Sequence, residues 1–386
     1  MKPRTISIIT GSRADYGYLA TLMRLVQADP GCLLQTVVTG MHLWPAFGET
    51  WRTIEADGFP ISARVEAPLH GTSPVDVART TGRLTEQFAV TLSHLAPDFA
   101  VVLGDRYEIF AAAQACLFLR IPLAHLAGGD ITEGAYDDAM RHAITKMASL
   151  HFVTNEQAAR RVVQLGEEPQ RVFCVGATNL DLISALPLLS RKEMETQLGF
   201  TFRSRNLLVT FHPVTLSRIP SKDQVAELLA ALDELAADGK TGILFTAPNA
   251  DTEGLDLLAI LEEYTATRPH VRLCPSLGQQ RYYSAVAACD VVVGNSSSGL
   301  YEVPSLKRPS VDIGDRQKGR IRAESVLHCE PERDAIRAAI EQAYTLDCAA
   351  VVNPYGRGDA SATILNELKA VPDPKALTMK KFRDLP

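Results

Sequence analysis

The sequence predicts an α/β fold of two Rossmann-like, doubly wound domains facing a cleft. Three observations lead there. Short apolar runs rich in β-branched residues alternate with longer helical patterns; most of the runs end in Gly, Asp or Thr; and after "VGATNLDLI" the pattern starts again. Runs that are apolar throughout, rather than at every second residue, are strands covered on both faces, as in a parallel sheet wound by helices. The 386 residues give room for two domains with a core each.

In the first half the strands are "ISIITG" (6–11), "LQTVVTG" (34–40), "FAVVLGD" (99–105), "IPLAHLAGG" (121–129), "LHFVT" (150–154) and "RVFCVG" (171–176), with helical stretches such as "YEIFAAAQACLFLR" (107–120) between them. In the second half they are "NLLVTFH" (206–212), "GILFTAPN" (242–249), "HVRLCPS" (270–276), "DVVVGNSSSG" (290–299) and "RPSVDIGDR" (308–316). The boundary falls near residues 180–200. The domains are therefore set at 1–185 and 186–386, with the C-terminal segment free to pack back on the first. The last stretch, "KALTMKKFRDLP", is charged and is expected to fray.

Composition removes several function classes. A net charge of -6 argues against a nucleic-acid partner. No run approaches the roughly 20 apolar residues of a membrane span. The start, "MKPRTISIITG", lacks the apolar core of a signal peptide and reads as a first strand. Seven Cys at scattered positions, with no CxxC, fit a reduced, cytoplasmic protein without a disulfide frame or zinc site. The nine His form neither HxxxH nor HExxH, so no metal and no cofactor are expected.

In doubly wound sheets ligands sit at the carboxyl ends of strands, so the strand ends carry the functional reading. The first, "TGSRADYGYL", is not GxGxxG, which disfavours a dinucleotide. Ser12 and Asp15 are helix-capping types; Arg13 offers a guanidinium fork for phosphate. His42, in "TGMHLWPAFGETW", is a polar contact or a packed loop residue. In "VVLGDRYE", Asp105 ends a buried strand, where desolvation raises a carboxyl and suits it to proton transfer; the bland alternative is a cap on helix 107–120. Arg106 either lowers that carboxyl or pairs with Glu108.

The stretch "HLAGGDITEGAYDDAMRHAITKM" (125–147) is the densest in acids. Gly128 and Gly129 allow backbone to approach a ligand. Asp130 and Glu133 lie in a loop. Asp137 and Asp138 open a helix whose apolar face is Met140, Ile144, Met147 and Ala148, and a surface pair of Asp137 with Arg141 would account for these charges without chemistry. In the second half, His212 ends "LLVTFH" and can donate to phosphate or shuttle a proton. "VVVGNSSSGLYE" places Ser296, Ser297, Ser298 and Gly299 at a helix start that can cradle an anion. It lacks GK[ST], so it is not a P-loop. Glu302 suits ribose hydroxyls better than a diphosphate, and Arg316 and Lys318 add cation near that edge.

Taken together, "GSRADYG", "GMHL", "LGDR", "HLAGGDITEGAYDDAMRHAITK", "FHPVT", "GNSSSG" and "IGDRQKGR" resemble the hydrolysing UDP-N-acetylglucosamine 2-epimerases of sialic-acid and related nonulosonic-acid synthesis, over about residues 5 to 325. The resemblance implies the glycosyltransferase-B arrangement of the two domains. It implies elimination of the nucleoside diphosphate across C1–C2 to a glycal, then addition of water, releasing the free C2-inverted sugar, N-acetylmannosamine in the parent case. It makes Asp105 a catalytic acid/base and Asp137 a catalytic group with Asp138 beside it. His212 becomes the histidine near the diphosphate, Ser296 and Ser297 phosphate contacts, Glu302 the ribose holder, and Arg13 and Arg316 further nucleotide contacts. Asp15, His42, Arg106, Asp138, Arg141, Ser298 and Gly299 complete the candidate substrate contacts. A homodimer or homotetramer is expected.

One departure stands out. Much of that family has a Glu where this chain has Ala127, so Asp130 or Glu133 is expected to supply the carboxylate. A subgroup with the "GGxxTEGAYDD" loop serves legionaminic-type sugars, which leaves the substrate open: UDP- or GDP-linked, N-acetylglucosamine or a 2,4-diacetamido-2,4,6-trideoxy sugar. The rival readings are a non-hydrolysing epimerase, a glycosyltransferase of the same fold, and a non-catalytic nucleotide-sugar-binding protein.

Overall fold

The computed structural model describes residues 3–45, 48–66, 73–131, 137–214, 219–248, 254–274 and 277–384. The chain forms two compact units, one of Met1–Leu182 with Tyr355–Pro386 and one of Ile183–Pro354. Among the described residues no helix is long and apolar enough to cross a membrane.

The first unit carries strands β1 (Arg4–Thr10), β2 (Cys32–Thr39), β3 (Ile61–Val65), β4 (Phe99–Leu103), β5 (Leu123–Leu126), β6 (Leu150–Val153) and β7 (Val172–Cys174). They form one sheet in the order β3-β2-β1-β4-β5-β6-β7, every pair parallel. The second unit carries β8 (Arg205–Thr210), β9 (Thr241–Thr246), β10 (Val271–Cys274), β11 (Val291–Gly294), β12 (Ser310–Ile313) and β13 (Val326–Cys329), in the order β10-β9-β8-β11-β12-β13, again all parallel. Both are the Rossmann order. The direction of winding reverses between β1 and β4, and between β8 and β11, so each unit has a crevice at the carboxyl ends of that pair.

The period of two along each strand sends alternate residues to opposite layers. Ile6 and Ile8 pack with Leu19, Leu22 and Ile364 on one side, while Ile9 packs with Ala112, Cys116 and Ile144 on the other. Leu207 and Val209 against Leu208 repeat this in the second sheet. Strands β3 and β13 escape the sequence reading for the same reason in reverse. Both are edge strands and half-exposed, so neither presents a continuous apolar run.

The C-terminal residues complete the first unit. The Asp181 carboxylate accepts from the backbone N–H groups of Ala360 and Ser361 (2.9 and 2.7 Å), at the start of helix Ala360–Ala370. Ile364 and Leu368 of that helix are fully buried, each stabilising by about 1.5–3 kcal/mol. Beyond it the charged end does not fray. Arg171 donates to the carbonyls of Leu377 and Met379. Lys380 donates to the carbonyls of Lys146 and Ala148 and lies 2.6 Å from the Glu167 carboxylate, which is 1% exposed. His151 (2.9 Å) and Lys146 close the same carboxylate in. Burial alone would raise the Glu167 carboxyl; the hydrogen bonds from His151, Lys146 and Lys380 outweigh it and lower it to about 2. Gly166 holds φ +86°, a conformation that favours glycine, and a Cβ there would lie 2.6 Å from the exposed Phe382 ring. The tail's charge is matched by a buried acid rather than by solvent, which is why composition misjudged it.

Candidate active site

In the first unit the acids gather beyond β4. Gly104 turns the chain with φ +78°, and Asp105 follows it. Asp105 is no helix cap: helix Tyr107–Leu119 starts from Arg106 without a side-chain cap bond. Its carboxylate instead accepts from the Arg141 guanidinium, 36 residues on, and the two side chains are 18% and 10% exposed. Burial raises the Asp105 carboxyl; Arg141 opposes that rise, and the charge of Asp137 adds to it. Arg141 also lies 3.7 Å from Asp138, which is 3.4 Å from His142 Nε2. The expected surface pair of Asp137 with Arg141 is therefore wrong. Helix Asp137–Met147 turns Arg141, Ile144 and Thr145 inward, because Arg141 answers a carboxylate from another strand end. One guanidinium thus collects Asp105 and Asp138, and Asp137 lies in electrostatic range of Asp105.

A histidine that sequence reasoning passed over supports this corner. His125, fully buried in β5, has Nε2 2.8 Å from the Gly104 carbonyl and Nδ1 3.1 Å from the Thr145 hydroxyl. Facing a carbonyl, Nε2 carries the proton and donates. Burial lowers the ring to about 3, so it stays neutral while tying the Asp105 loop to the Arg141 helix. A Cβ on Gly128 would lie 2.9 Å from the Thr145 hydroxyl and 3.0 Å from His125 Nδ1, which makes this glycine a packing requirement. Ala127 holds φ +60°. Asp130 accepts from the Thr154 hydroxyl (2.9 Å), just past β6. Glu133 lies outside the described residues.

Around β1 and β2, Ser12 caps helix Arg13–Ala28 by accepting from the Asp15 N–H (3.3 Å). Burial pushes the Asp15 carboxyl up to about 6, against the hydrogen bond of Ser12 and the charge of Arg106. Arg13 is exposed. Arg106 Nε donates to Glu108 at 2.8 Å. His42 is fully buried, with one ring nitrogen 3.0 Å from the Thr10 hydroxyl and the other 2.7 Å from that of Thr50; burial lowers it to about 4. It is a wall residue with both nitrogens used by the protein.

In the second unit the ends of β8 and β11 are clasped together. The Asn295 side-chain carbonyl accepts from the His212 N–H (2.7 Å), and its amide donates to the His212 carbonyl (2.8 Å). A Cβ on Gly294 would lie 1.9 Å from the Thr210 carbonyl oxygen, and its φ is +138°. Arg316 and Gln317 both donate to the Asn295 carbonyl (3.1 and 2.9 Å), bringing the loop after β12 to the same place. The helix that the serine run opens is a single turn, Ser298–Tyr301. Pro304 lacks the N–H that would continue it, and the chain tightens into a 3-10 turn over Val303–Leu306. Glu302 therefore sits at the end of that turn, where its carboxylate accepts from the Tyr283 hydroxyl (2.9 Å) and from Ser298. Tyr282 donates to Ser298 (2.8 Å), so the Ser298 hydroxyl is committed within the protein. Ser296 accepts from the Ser298 N–H (3.4 Å), and the carbonyl of buried Gly299 accepts from Ser310.

Two Rossmann-like sheets, each with polar side chains gathered at its strand ends, define the class: a doubly wound, two-unit α/β protein with a cluster of carboxylates around Arg141 on the first unit and a serine-rich turn on the second. The chain belongs to the UDP-N-acetylglucosamine 2-epimerase family, whose model matches residues 24–369. It is 38% identical over 331 residues to the hydrolysing GDP/UDP-N,N'-diacetylbacillosamine 2-epimerase of Campylobacter jejuni, covering 86% of this chain and 85% of that one. It is 32% identical over 369 residues to the hydrolysing UDP-N,N'-diacetylbacillosamine 2-epimerase of Legionella pneumophila, covering 96% of each. The fold matches that of the Neisseria meningitidis UDP-GlcNAc 2-epimerase solved with UDP-GlcNAc, with a TM-score of 0.75 at 18% identity over 95% of this chain and 100% of that one.

Proposed function

We propose that the protein is a cytoplasmic, hydrolysing nucleotide-sugar 2-epimerase of nonulosonic-acid synthesis. Its substrate is a UDP- or GDP-linked 2-acetamido sugar. The diacetamido sugar, N,N'-diacetylbacillosamine, comes ahead of N-acetylglucosamine, because the 38% and 32% identical relatives are named for it. The observation that carries the reading is the pairing of Asp105 with Arg141 beside Asp137. Proton removal at C2 needs a carboxyl poised between charged and neutral forms, and a buried acid whose desolvation is opposed chiefly by Arg141 is so poised.

In this reading Asp105 and Asp137 are the acid/base pair at C2. One takes H2 while the C1–O bond to the diphosphate breaks, leaving a glycal. Water then adds its oxygen at C1, and C2 receives a proton from the opposite face. Asp138 and Arg141 hold the sugar side with Asp15, Arg106 is a further substrate contact, and Asp130 or Glu133 supplies the carboxylate that Ala127 lacks. On the nucleotide side, His212, Ser296, Ser297, Arg13 and Arg316 meet the diphosphate, and Glu302, held by Tyr283, takes the ribose hydroxyls. The protein acts as a homodimer or homotetramer, to be read by light scattering on the eluting peak.

The test is a panel of UDP- and GDP-sugars without acceptor, with products identified. Free C2-inverted sugar plus nucleoside diphosphate is expected, with deuterium at C2 when the reaction runs in D2O. Retained nucleotide sugar would make it a non-hydrolysing epimerase. Product formed only on adding an acceptor would make it a glycosyltransferase, and binding without turnover across the panel would leave a non-catalytic binding protein.

A further inference from the structure

Glu108 is fully enclosed, at the start of the helix that follows the Asp105 loop. Two glycines make its slot. A Cβ on Gly11, just past β1, would lie 2.9 Å from Glu108 Cγ; a Cβ on Gly40, just past β2, would lie 2.8 Å from its Oε1. Two neighbouring strand ends thus give up side-chain volume to house one carboxylate. Burying a carboxylate is costly, and packing alone would be served as well by a neutral side chain of the same shape. Oε2 has no hydrogen-bond partner among the described residues. Oε1 has one, the Nε–H of Arg106 at 2.8 Å.

The bond to Nε is the informative part. Arg106 is 36% exposed, and among the described residues its two terminal amino groups make no hydrogen bond. An arginine anchored through Nε holds its Nη pair as a rigid fork, the geometry that receives two oxygens of one phosphate. Two other acids lie in electrostatic range of Arg106, namely Asp15 and Asp105. Without an anchor the guanidinium would swing toward either and neutralise a group that the reaction needs.

We infer that Glu108 is a positioning residue, whose buried carboxylate fixes Arg106 so that its Nη fork is offered to a phosphate oxygen of the substrate. This rests on the nucleotide-sugar reading above. The experiment is a double-mutant cycle of Glu108→Gln and Arg106→Ala, read as kcat/KM with a nucleotide sugar that the protein turns over. Alone, Glu108→Gln lowers kcat/KM about tenfold; in the Arg106→Ala background it lowers it less than about twofold. A purely structural role would cost the same in both backgrounds. The second readout needs no substrate: in 15N-arginine-labelled protein, an Nε–H signal absent from Arg106→Ala is protected from exchange in the parent and loses protection in Glu108→Met, whose side chain offers no oxygen to accept that bond. Should Glu108→Gln fail to fold, Glu108→Met, which fills the slot without polar atoms, carries the same predictions. Equal losses in both backgrounds, or protection retained in Glu108→Met, would overturn the inference. A wild-type protein that turns over no nucleotide sugar would remove the functional reading, while the protection experiment would still decide whether Glu108 holds Arg106.

Discussion

Substituting Glu167 by Gln should remove a defined share of the protein's pH-dependent stability. The Glu167 carboxyl titrates at about 2 in the fold, against an ordinary value of 4.5. That gap, at about 1.36 kcal/mol per pKa unit, is worth roughly 3 kcal/mol when the carboxylate is charged in both states. At 1% exposure, solvent screening takes little from it. A lowered carboxyl contributes stability that is fully present above 4.5 and lost as pH falls through that value toward about 2. By pH 3 somewhat more than half of it, roughly 2 kcal/mol, should be gone. Urea unfolding followed by circular dichroism at pH 7, 5, 4 and 3 gives the curve. The wild type should lose roughly 2 kcal/mol more than Glu167→Gln over that range, and the variant should be the less stable at pH 7, where Lys146 and Lys380 face a neutral amide. Parallel curves for the two proteins would refute the reasoning, since they would mean that the cluster stores no charge-dependent free energy.

Other predictions bear on the candidate site. Asp105→Asn should lower turnover by about 10²–10⁴-fold while UDP or GDP binding, measured by calorimetry, stays within about threefold; unchanged turnover would remove Asp105 from the chemistry. Gly294→Ala should prevent recovery of folded protein, because its Cβ would lie 1.9 Å from the Thr210 carbonyl; the cost should exceed about 4 kcal/mol, and soluble yield with a thermal melt checks it. Asp15 is raised to about 6 by burial, so the fold favours its protonated form and loses stability as pH rises from 3.8 through that value. Asp15→Asn should therefore stabilise by about 1–2 kcal/mol above pH 6, part of the pKa gap being screened. The gain should fade below pH 4, and no gain at neutral pH would contradict the buried-acid account.

What the sequence made legible follows from burial. β1, β4, β8 and β11 are central strands covered on both faces, so their apolar runs and the Gly, Asp and Asn that end them stand out. The motifs that carry Asp105, His212 and the serine turn were found that way. β3 and β13 were missed because edge strands owe less to burial. The serine turn was found, but its length was not; Pro304 was the signal that would have set it. Pairings remote in sequence left no trace. Arg141 has an ordinary helix partner at Asp137, and nothing local says that it turns instead to Asp105. Glu108 likewise reads as half of a local pair with Arg106 until Gly11 and Gly40 are seen to hollow a place for it.

The membership of Tyr355–Pro386 in the first unit has a consequence for how the protein is made. The ribosome releases β1 to β7 early, then all of Ile183–Pro354, and only afterwards the helix and tail that finish the first sheet. During that interval the layer formed by Ile6, Ile8, Leu19 and Leu22 lacks Ile364 and Leu368, and Glu167 lacks Lys380. The earliest segment out is thus the last to mature, and the interval is a window for chaperone capture or misassembly. A chain stopped short of residue 355 would keep Asp105, Arg141, His212 and Glu302 and still leave the nascent first unit with an open apolar side.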